Sequence, residues 1–433
     1  MRQFTLLFLS LFFAASAQAA TISKGPYLQR VTETGITVSW QTDSSSSGHV
    51  EVSGGPQVLV INTEGKGTLH NADVTGLVAN TPYSYKVFVD GKDSGQSGNF
   101  ISAKPSNKAF RFLVYGDNRT QHTQHEKVVA AMMKEQDIGF VLNTGDMVSS
   151  GQKESHWQTF FEIETKMLRN WPFFGAVGNH EEHDGHADNF VKYFNPPPDG
   201  TDTYYAFTYS NTRFIVLDGH IEIDNPIVCF VSQQIAEDCF NEKQMTWLNA
   251  ELTKANNNDK IKHVLIATHI GPYSSKPGRN GSGQMRALLD TFKANKVKVV
   301  LSGHDHYFEH GISGNGLHYI ITGGGGAPLY ETKPDQSLLY PHEVLVSNSI
   351  HNFLVVTVAG DWVEVIAKDL DGKVVDSFEI GTAPACIEAK DCEGEKSGPC
   401  PGTWTCTDGY QCLWACEPGA SCSAASDCTE KQP

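Results

Sequence analysis

Five short polar clusters, each following a run of apolar residues, carry the side chains best suited to chemistry. They are Gly116-Asp117-Asn118-Arg119, Gly145-Asp146, Gly178-Asn179-His180-Glu181, His269 and Gly303-His304-Asp305-His306. Brought together, Asp117, Asp146, Asn179, His269, His304 and His306 would offer carboxylate and amide oxygens beside imidazole nitrogens. That mixture suits Zn, Mn or Fe and differs from the all-oxygen cages of Ca and Mg. Two adjacent ions need one ligand that reaches both, and a carboxylate has two oxygens where neutral imidazole cannot bridge. Asp146 is the candidate bridge, and His304 and His306, two residues apart, can bind different ions. The glycines ahead of Asp117, Asp146, Asn179 and His304 let the backbone turn sharply and come close to metal.

The elements carrying these clusters must end in one place. Residues 110–114, 140–142, 173–177, 214–217, 263–267 and 297–301 are short apolar runs, and stretches such as 125–134 and 244–254 have helical patterning. This rhythm predicts a layered α/β domain with strands buried between helices. An open α/β sheet places its ligands beyond the carboxyl ends of its strands. Residues 353–358, 362–368 and 374–380 are expected to complete the sheets of the same domain. Residues 22–103 read as strands. Ile36, Val38 and Trp40 alternate with Thr37 and Ser39, the period of a half-buried strand, which is expected to end at Asp43 and four serines. Tyr83, Tyr85, Val87 and Val89 form another, entered from Leu77 through the turn Asn80-Thr81-Pro82. The pattern predicts a β-sandwich, and its early Trp and late Tyr-x-Tyr resemble the fibronectin type III arrangement with its tyrosine corner.

The 433 residues exceed one ordinary core and suffice for two domains with extras. Residues 1–19 have the layout of a secretory signal: Arg2, an apolar run over 4–15, then Ala17-Gln18-Ala19. That run is shorter than the ~20 apolar residues that cross a bilayer, and no membrane span is expected later. Cysteine usage agrees with export. Cys229 and Cys239 sit mid-chain, while Cys386, Cys392, Cys400, Cys406, Cys412, Cys416, Cys422 and Cys428 crowd the end. An oxidising compartment would give one local loop bridge and a tail stapled by up to four bridges of unreadable pairing. A zinc ribbon is the rival for the tail, disfavoured by the absence there of paired Cys-x-x-Cys knuckles and of histidine. The formal charge of -16 argues against a sequence-independent grip on nucleic acid, which needs clustered Lys and Arg. Positive potential at the site would come from metal ions.

The ordered series Gly-Asp, Gly-Asp, Gly-Asn-His-Glu, His and Gly-His-x-His resembles that of the calcineurin-like metallophosphoesterases. Over residues 25–380 the chain is similar to purple acid phosphatases with a fibronectin-like N-terminal domain. Thr268-His269-Ile270-Gly271-Pro272-Tyr273-Ser274-Ser275 and Gly323-Gly324-Gly325-Gly326-Ala327-Pro328-Leu329-Tyr330 strengthen the likeness. The resemblance implies two divalent or trivalent transition-metal ions, Zn, Fe or Mn. The first would take Asp117, Asp146 and His306, and the second Asp146, Asn179, His269 and His304. A hydroxide between them would attack phosphorus in line. His180 would protonate the leaving group without binding metal.

Three departures from the family pattern bear on this. Ser149 stands where purple acid phosphatases have the tyrosine that binds ferric iron and gives colour, which implies a colourless enzyme. Arg119 stands where other branches have a histidine ligand. A guanidinium stays protonated and cannot ligate, so the first ion is short of one protein ligand or is completed by water. Arg119 either clamps a phosphate oxygen or pairs with a structural acid. The family's Gly-His-x-His-x-Tyr-Glu-Arg stretch ends here in His310, which leaves Glu309 and His310 without an implied role.

A single His or Asp is more often a satisfied structural group than a ligand, and only the ordered set reverses those odds. His122, His125, His183, His186 and His220 are accordingly expected as solvated loop histidines. Residues 323–326 favour a flexible turn over a cleft border. Trp247 and Leu248, at helical spacing after Gln244, favour core over substrate platform. The expected division is a signal peptide (1–19), a fibronectin type III-like domain (22–104), a metallophosphoesterase catalytic domain (108–381) and a Cys-rich tail (384–433). The expected function is hydrolysis of small-molecule phosphate esters, monoesters foremost, by a secreted or periplasmic enzyme. One rival is a phosphodiesterase or nucleotide hydrolase of the same fold. The other is a non-catalytic extracellular binding protein, whose Cys-rich tail meets a partner.

Overall fold

The computed structural model describes residues 19–183, 186–220, 230–231, 234–235, 240–334, 342–387, 389–392 and 402–416. Alternation of apolar residues builds the N-terminal part from β1 (Ile22–Gln29), β2 (Gly35–Ser46), β3 (Gly48–Ser53), β4 (Leu59–Asn62), β5 (Gly67–Thr75), β6 (Pro82–Val89) and β7 (Lys92–Ile101). They form two antiparallel sheets ordered β1-β2-β5 and β4-β3-β6-β7. Ile36, Val38 and Trp40 from one sheet meet Val50, Val52, Tyr85 and Val87 from the other.

Two expectations for β2 are corrected. It continues past Asp43 to Ser46, which pairs with Gly67 after a register shift. The hydroxyls of Thr42 and Ser46 lie 3.3 and 3.2 Å from the buried His70 Nε2, so these polar residues are satisfied inside the sandwich. Thr37 and Ser39 are also buried rather than solvated. The reason is a second layer over β1: Gln29 Nε2 donates to Ser39 Oγ (2.9 Å) and to Tyr193 O (3.2 Å). Tyr27 donates its hydroxyl to the same carbonyl (2.8 Å) and packs on Phe161. The outer face of this sheet is therefore an interface.

The larger part contains β8 (Phe110–Tyr115), α1 (His122–Met132), β9 (Ile138–Asn143), α2 (Glu154–Leu168), β10 (Phe173–Gly175), α3 (Asp188–Tyr193), β11 (Tyr205–Tyr209) and β12 (Thr212–Val216). The short β13 (Phe230–Val231) and β14 (Gln234–Ile235) follow, then α4 (Glu242–Asn256), β15 (His263–Ala267), α5 (Gly283–Ala294) and β16 (Val297–Ser302). Next come β17 (Phe308–Ser313), β18 (His318–Thr322), β19 (His342–Asn348), β20 (Phe353–Ala359), β21 (Trp362–Lys368) and β22 (Val374–Ile380).

The apolar runs sort into two mixed sheets rather than one open sheet. Their orders are β10-β9-β8-β20-β21-β22 and β11-β12-β15-β16-β18-β17-β19. Strand periodicity gives the cause, because successive residues face opposite sides. Phe112, Val114, Phe214 and Val216 share a core between the sheets, whereas Leu113 and Tyr115 join residues of α1 and α2, and Ile215 and Leu217 join those of α4 and α5. Aromatic rings fill the middle layer: Phe174 and Phe207 stack at 3.7 Å between centroids, and Phe112 and Phe140 at 4.8 Å. The expected strands after residue 350 do complete one sheet, with β20 antiparallel to β8.

At the C-terminus, β23 (Gly402–Cys406) and β24 (Cys412–Cys416) form a hairpin. Disulfides Cys386–Cys406 and Cys392–Cys412 staple it. Asp408 pairs with Lys108 and accepts from Asn107 Nδ2 (2.9 Å), which moors the hairpin on the segment leading into β8. The expected Cys229 to Cys239 bridge lies outside the described residues, as do Cys400, Cys422, Cys428 and residues 1–18 of the signal segment. Among the described residues no helix is long and apolar enough to cross a membrane.

His263 opens β15 with Nε2 on Gly360 O (2.8 Å) and a buried, unpartnered Nδ1. Burial pushes its pKa down to about 4, below the ~6.5 of an unfolded histidine. A depressed folded value contributes stability that is present above about pH 6.5 and lost as pH falls towards 4, on the order of 3 kcal/mol. The thermal midpoint of His263→Asn should therefore change less between neutral and acidic pH than that of the unaltered protein. Equal acid sensitivity would contradict this.

Candidate metal centre

The parallel strands β8, β9 and β10 of one sheet, and β15 and β16 of the other, run into the five polar clusters. Asp117, Asp146 and His304 adopt φ of 57°, 57° and 68°, a left-handed conformation that costs a non-glycine residue roughly 1–2 kcal/mol. Surrounding bonds hold it. Asp117 N–H donates to Gly145 O (2.9 Å), Ala327 N–H donates to Asp117 O (2.7 Å), and His304 N–H donates to Asp117 Oδ2 (2.8 Å). Close approach is the main use of two nearby glycines. A Cβ on Gly178 would stand 2.4 Å from Asp146 Oδ1, and one on Gly303 would stand 2.3 Å from Asp117 Oδ2.

All six ligand candidates meet. His269 Nε2 lies 3.2 Å from Asn179 Oδ1, 3.3 Å from Asp146 Oδ1 and 3.2 Å from His304 Nδ1. His304 Nδ1 is 3.1 Å from Asn179 Oδ1. On the other side, His306 Nε2 is 3.5 Å from Asp117 Oδ1. Asp146 joins the halves, since ligand atoms of Asp117, Asp146 and His269 all lie within 4.8 Å of one another. The tautomers follow from the distal nitrogens. His269 Nδ1–H donates to Thr144 O (2.8 Å) and His306 Nδ1–H to Pro328 O (2.7 Å), so each Nε2 turns a lone pair into the centre.

Burial pushes His269 down to about 4 and His306 down to about 3, which keeps both rings neutral near pH 7. Burial would raise Asp146, but its interactions with the imidazoles of His269, His180 and His304 and with the Arg119 guanidinium outweigh it and hold this carboxyl well below the usual range. Asp117 is raised by burial and by the charge of Asp146. Its Oδ1 is buried with no hydrogen-bond partner. Converging lone pairs with an orphaned carboxylate oxygen are what a cation resolves. The donor set fits nitrogen- and oxygen-liking transition metals.

Around this set, His180 gives Nδ1–H to Ser149 O (3.0 Å) and holds Nε2 3.8 Å from Asp146 Oδ2. Arg119 Nε donates to Asp146 Oδ2 (3.0 Å) and Nη2 lies 3.3 Å from His306 Nε2. Of the two readings of Arg119, pairing with an acid is thus present in the structure. Sequence reasoning assigned no role to Glu181, the last residue of its cluster. Its carboxylate accepts from the backbone N–H groups of Asp146 (2.7 Å), Gly178 (3.0 Å) and Val148 (3.1 Å), tying two ligand loops together. Asn143 was also missed: its side chain accepts from Gly145 N–H (2.8 Å) and donates to Asn118 Oδ1 (2.9 Å). No local signal marks it, because an Asn ending a buried strand looks like any other.

Three expectations fail beside the centre. His125 is buried, not solvated, 2.6 Å from Glu164 and 3.3 Å from Asn118. His220 is half-buried with its ring 5.7 Å from that of His269. His122, His183 and His186 are exposed as expected. Residues 323–326 are no flexible turn: they are buried against the Asp117 loop, with Gly325 N–H on Gly116 O (2.9 Å). Trp247 packs on Tyr204 and Leu248 on the α4 core. Glu309 is buried in β17, and His310 pairs with Asp376 (2.7 Å).

Residues 110–308 match the family model described as calcineurin-like phosphoesterase. This segment is a calcineurin-like phosphoesterase domain. An uncharacterized protein of Mycobacterium tuberculosis is 25% identical over 65% of this chain and 61% of its own length, so the chain spans less than two thirds of that relative. Tartrate-resistant acid phosphatase type 5 of Sus scrofa is 26% identical over 50% of this chain and 69% of its own. A purple acid phosphatase from yellow lupin seeds superimposes with a TM-score of 0.68 at 17% identity, covering 83% of this chain and 74% of the other. The calcineurin-like phosphoesterase domain thus supplies every candidate ligand, from Asp117 to His306.

Glu181→Ala in this domain would leave three buried N–H groups unanswered, at ~1–3 kcal/mol for each. Denaturant unfolding should show a loss of about 3–5 kcal/mol, and a loss below about 1 kcal/mol would contradict the bracing role of Glu181.

Proposed function

We propose that the protein is a secreted, dinuclear metal-dependent phosphoesterase that hydrolyses small-molecule phosphate esters, with monoesters preferred. The observation that carries this reading is the convergence of imidazole, amide and carboxylate ligand atoms of His269, Asn179, His304, Asp117 and Asp146 in one buried place. In this reading Asp117, Asp146 and His306 hold one ion, and Asp146, Asn179, His269 and His304 hold the other. When bound, the ions activate water and stabilise the attacking and leaving oxygens of an in-line displacement.

The remaining work falls to side chains of the chain itself. His180 has Nδ1–H committed to Ser149 O, so a proton on Nε2 is the one it can give to the leaving oxygen. Arg119 presents a planar fork beside Asp146 and His306, suited to a phosphate oxygen. With Ser149 in place of a phenolate, no charge-transfer colour is expected.

The same reading covers the flanking parts. The grouping of the sheets and the disulfide-stapled hairpin supports a division at 22–104, 108–381 and 384–433. A fibronectin type III-like sandwich is supported by its three- and four-stranded sheets and by Tyr83, whose hydroxyl accepts from Val78 N–H (2.8 Å). Two disulfides support an oxidising, secreted or periplasmic destination.

Asp146→Ala and His304→Ala should lose metal content and turnover together, measured by elemental analysis and release of nitrophenol from nitrophenyl phosphate. Full activity in either would refute the ligand assignment. His180→Ala should keep its metal and lose about 100- to 10,000-fold in rate on an alkyl phosphate; an unchanged rate removes His180 as proton donor. A faster rate on bis-nitrophenyl phosphate than on the monoester would favour the phosphodiesterase alternative.

A further inference from the structure

Arg119 makes the two halves of the centre unlike each other. On one side, His269 Nε2 stands 3.2–3.3 Å from Asn179 Oδ1, His304 Nδ1 and Asp146 Oδ1, and His304 Nδ1 stands 3.1 Å from Asn179 Oδ1. His269 Nδ1–H is taken by Thr144 O, which turns Nε2 of that ring towards the oxygens of Asn179 and Asp146. On the other side, two of the three ligands already face a cation. Arg119 Nε is 3.0 Å from Asp146 Oδ2, and Nη2 is 3.3 Å from His306 Nε2. The guanidinium is permanently charged. It is also tethered: Arg119 N–H donates to Asp146 O (3.3 Å), and Nη1 reaches Thr120 Oγ1 (3.3 Å). Its side chain is only 15% exposed.

We infer that Arg119 sets the order and strength of metal loading. The Asn179–His269–His304 side takes the first cation, and the Asp117–His306 side takes a second only as the guanidinium gives up Asp146 Oδ2 and His306 Nε2. This rests on the metal reading above. A divalent ion and a guanidinium compete for the same carboxylate oxygen and repel each other at that distance. Inorganic phosphate offers the planar fork another bidentate partner, so it eases the withdrawal and tightens the second ion. By the reciprocity of linked binding, the second ion tightens phosphate by the same factor.

The test is calorimetric titration of the metal-stripped full chain with Mn²⁺, with and without inorganic phosphate. The unaltered protein should show two classes of site at least about 10-fold apart, the lower end of what neighbouring partners exert on metal affinity. Arg119→Gln and Arg119→Ala, which lack the charge, should bring the second class towards the first. Phosphate should narrow the gap in the unaltered protein and not in the variants. Electron paramagnetic resonance needs no variant: the first equivalent of Mn²⁺ should give an uncoupled signal, and a spin-coupled pair should grow only with the second. Two equal classes, a coupled pair at substoichiometric metal, or a gap that survives Arg119→Ala in a folded protein would each overturn the inference alone. Absence of Mn²⁺ binding, or binding unaffected by His269→Ala, would defeat the underlying metal reading and the inference with it.

Discussion

Asp146 is held by more bonds than its length would suggest, and the centre depends on that. Its N–H is donated to Glu181, its carbonyl accepts from Arg119, and Oδ1 accepts from His180 N–H (3.1 Å) while facing His269. Its backbone lies in the left-handed region, a strained state that persists only where the surroundings over-determine it. The result is a carboxyl held well below the usual pKa range, 1% exposed, with Oδ1 facing His269 and Oδ2 facing Arg119. Such a group needs positive charge beside it, and the Arg119 guanidinium supplies it at Oδ2. On the other side, the donor set around Asp146 Oδ1 suits a metal cation.

The rest of the fold reads as the means of keeping that carboxylate and its neighbours in place. Two sheets meet through stacked aromatic rings, a packing that leaves little room for one to slide on the other. Their parallel strands then deliver Asp117, Asp146 and Asn179 from one sheet and His269 and His304 from the other. Behind the Asp117 loop, a buried chain runs from Asn118 through His125 to Glu164 and Tyr115, so α1 and α2 also brace it. The N-terminal sandwich lies against α2 and the Tyr193–Asn195 segment through Tyr27 and Gln29.

The candidate ligands were legible in the sequence because each cluster is local: one or two chemically loaded residues after an apolar run, with a glycine before them in four of the five. Strand positions were legible for the same reason, since β8, β9, β15 and β16 are short apolar runs with few competing readings. What could not be read depends on partners far away in the chain. Thr37 and Ser39 look like solvent-facing residues until Gln29 and Tyr193 cover them. His125 looks like a loop histidine until Glu164 arrives from α2. The same holds for Glu181, whose three backbone partners come from two loops. Division of the strands into two facing sheets was likewise invisible, because a run buried on both sides lacks an alternation that says which neighbour lies where.

The most direct measurement is anomalous X-ray scattering from crystals of the metal-loaded protein, collected at the absorption edge of the bound element. The account predicts peaks flanking the Asp146 carboxylate, one of them about 2.0–2.2 Å from His269 Nε2, a metal–imidazole or metal–oxygen bonding distance. Peaks remote from Asp146, or none in protein that hydrolyses phosphate esters, would contradict it.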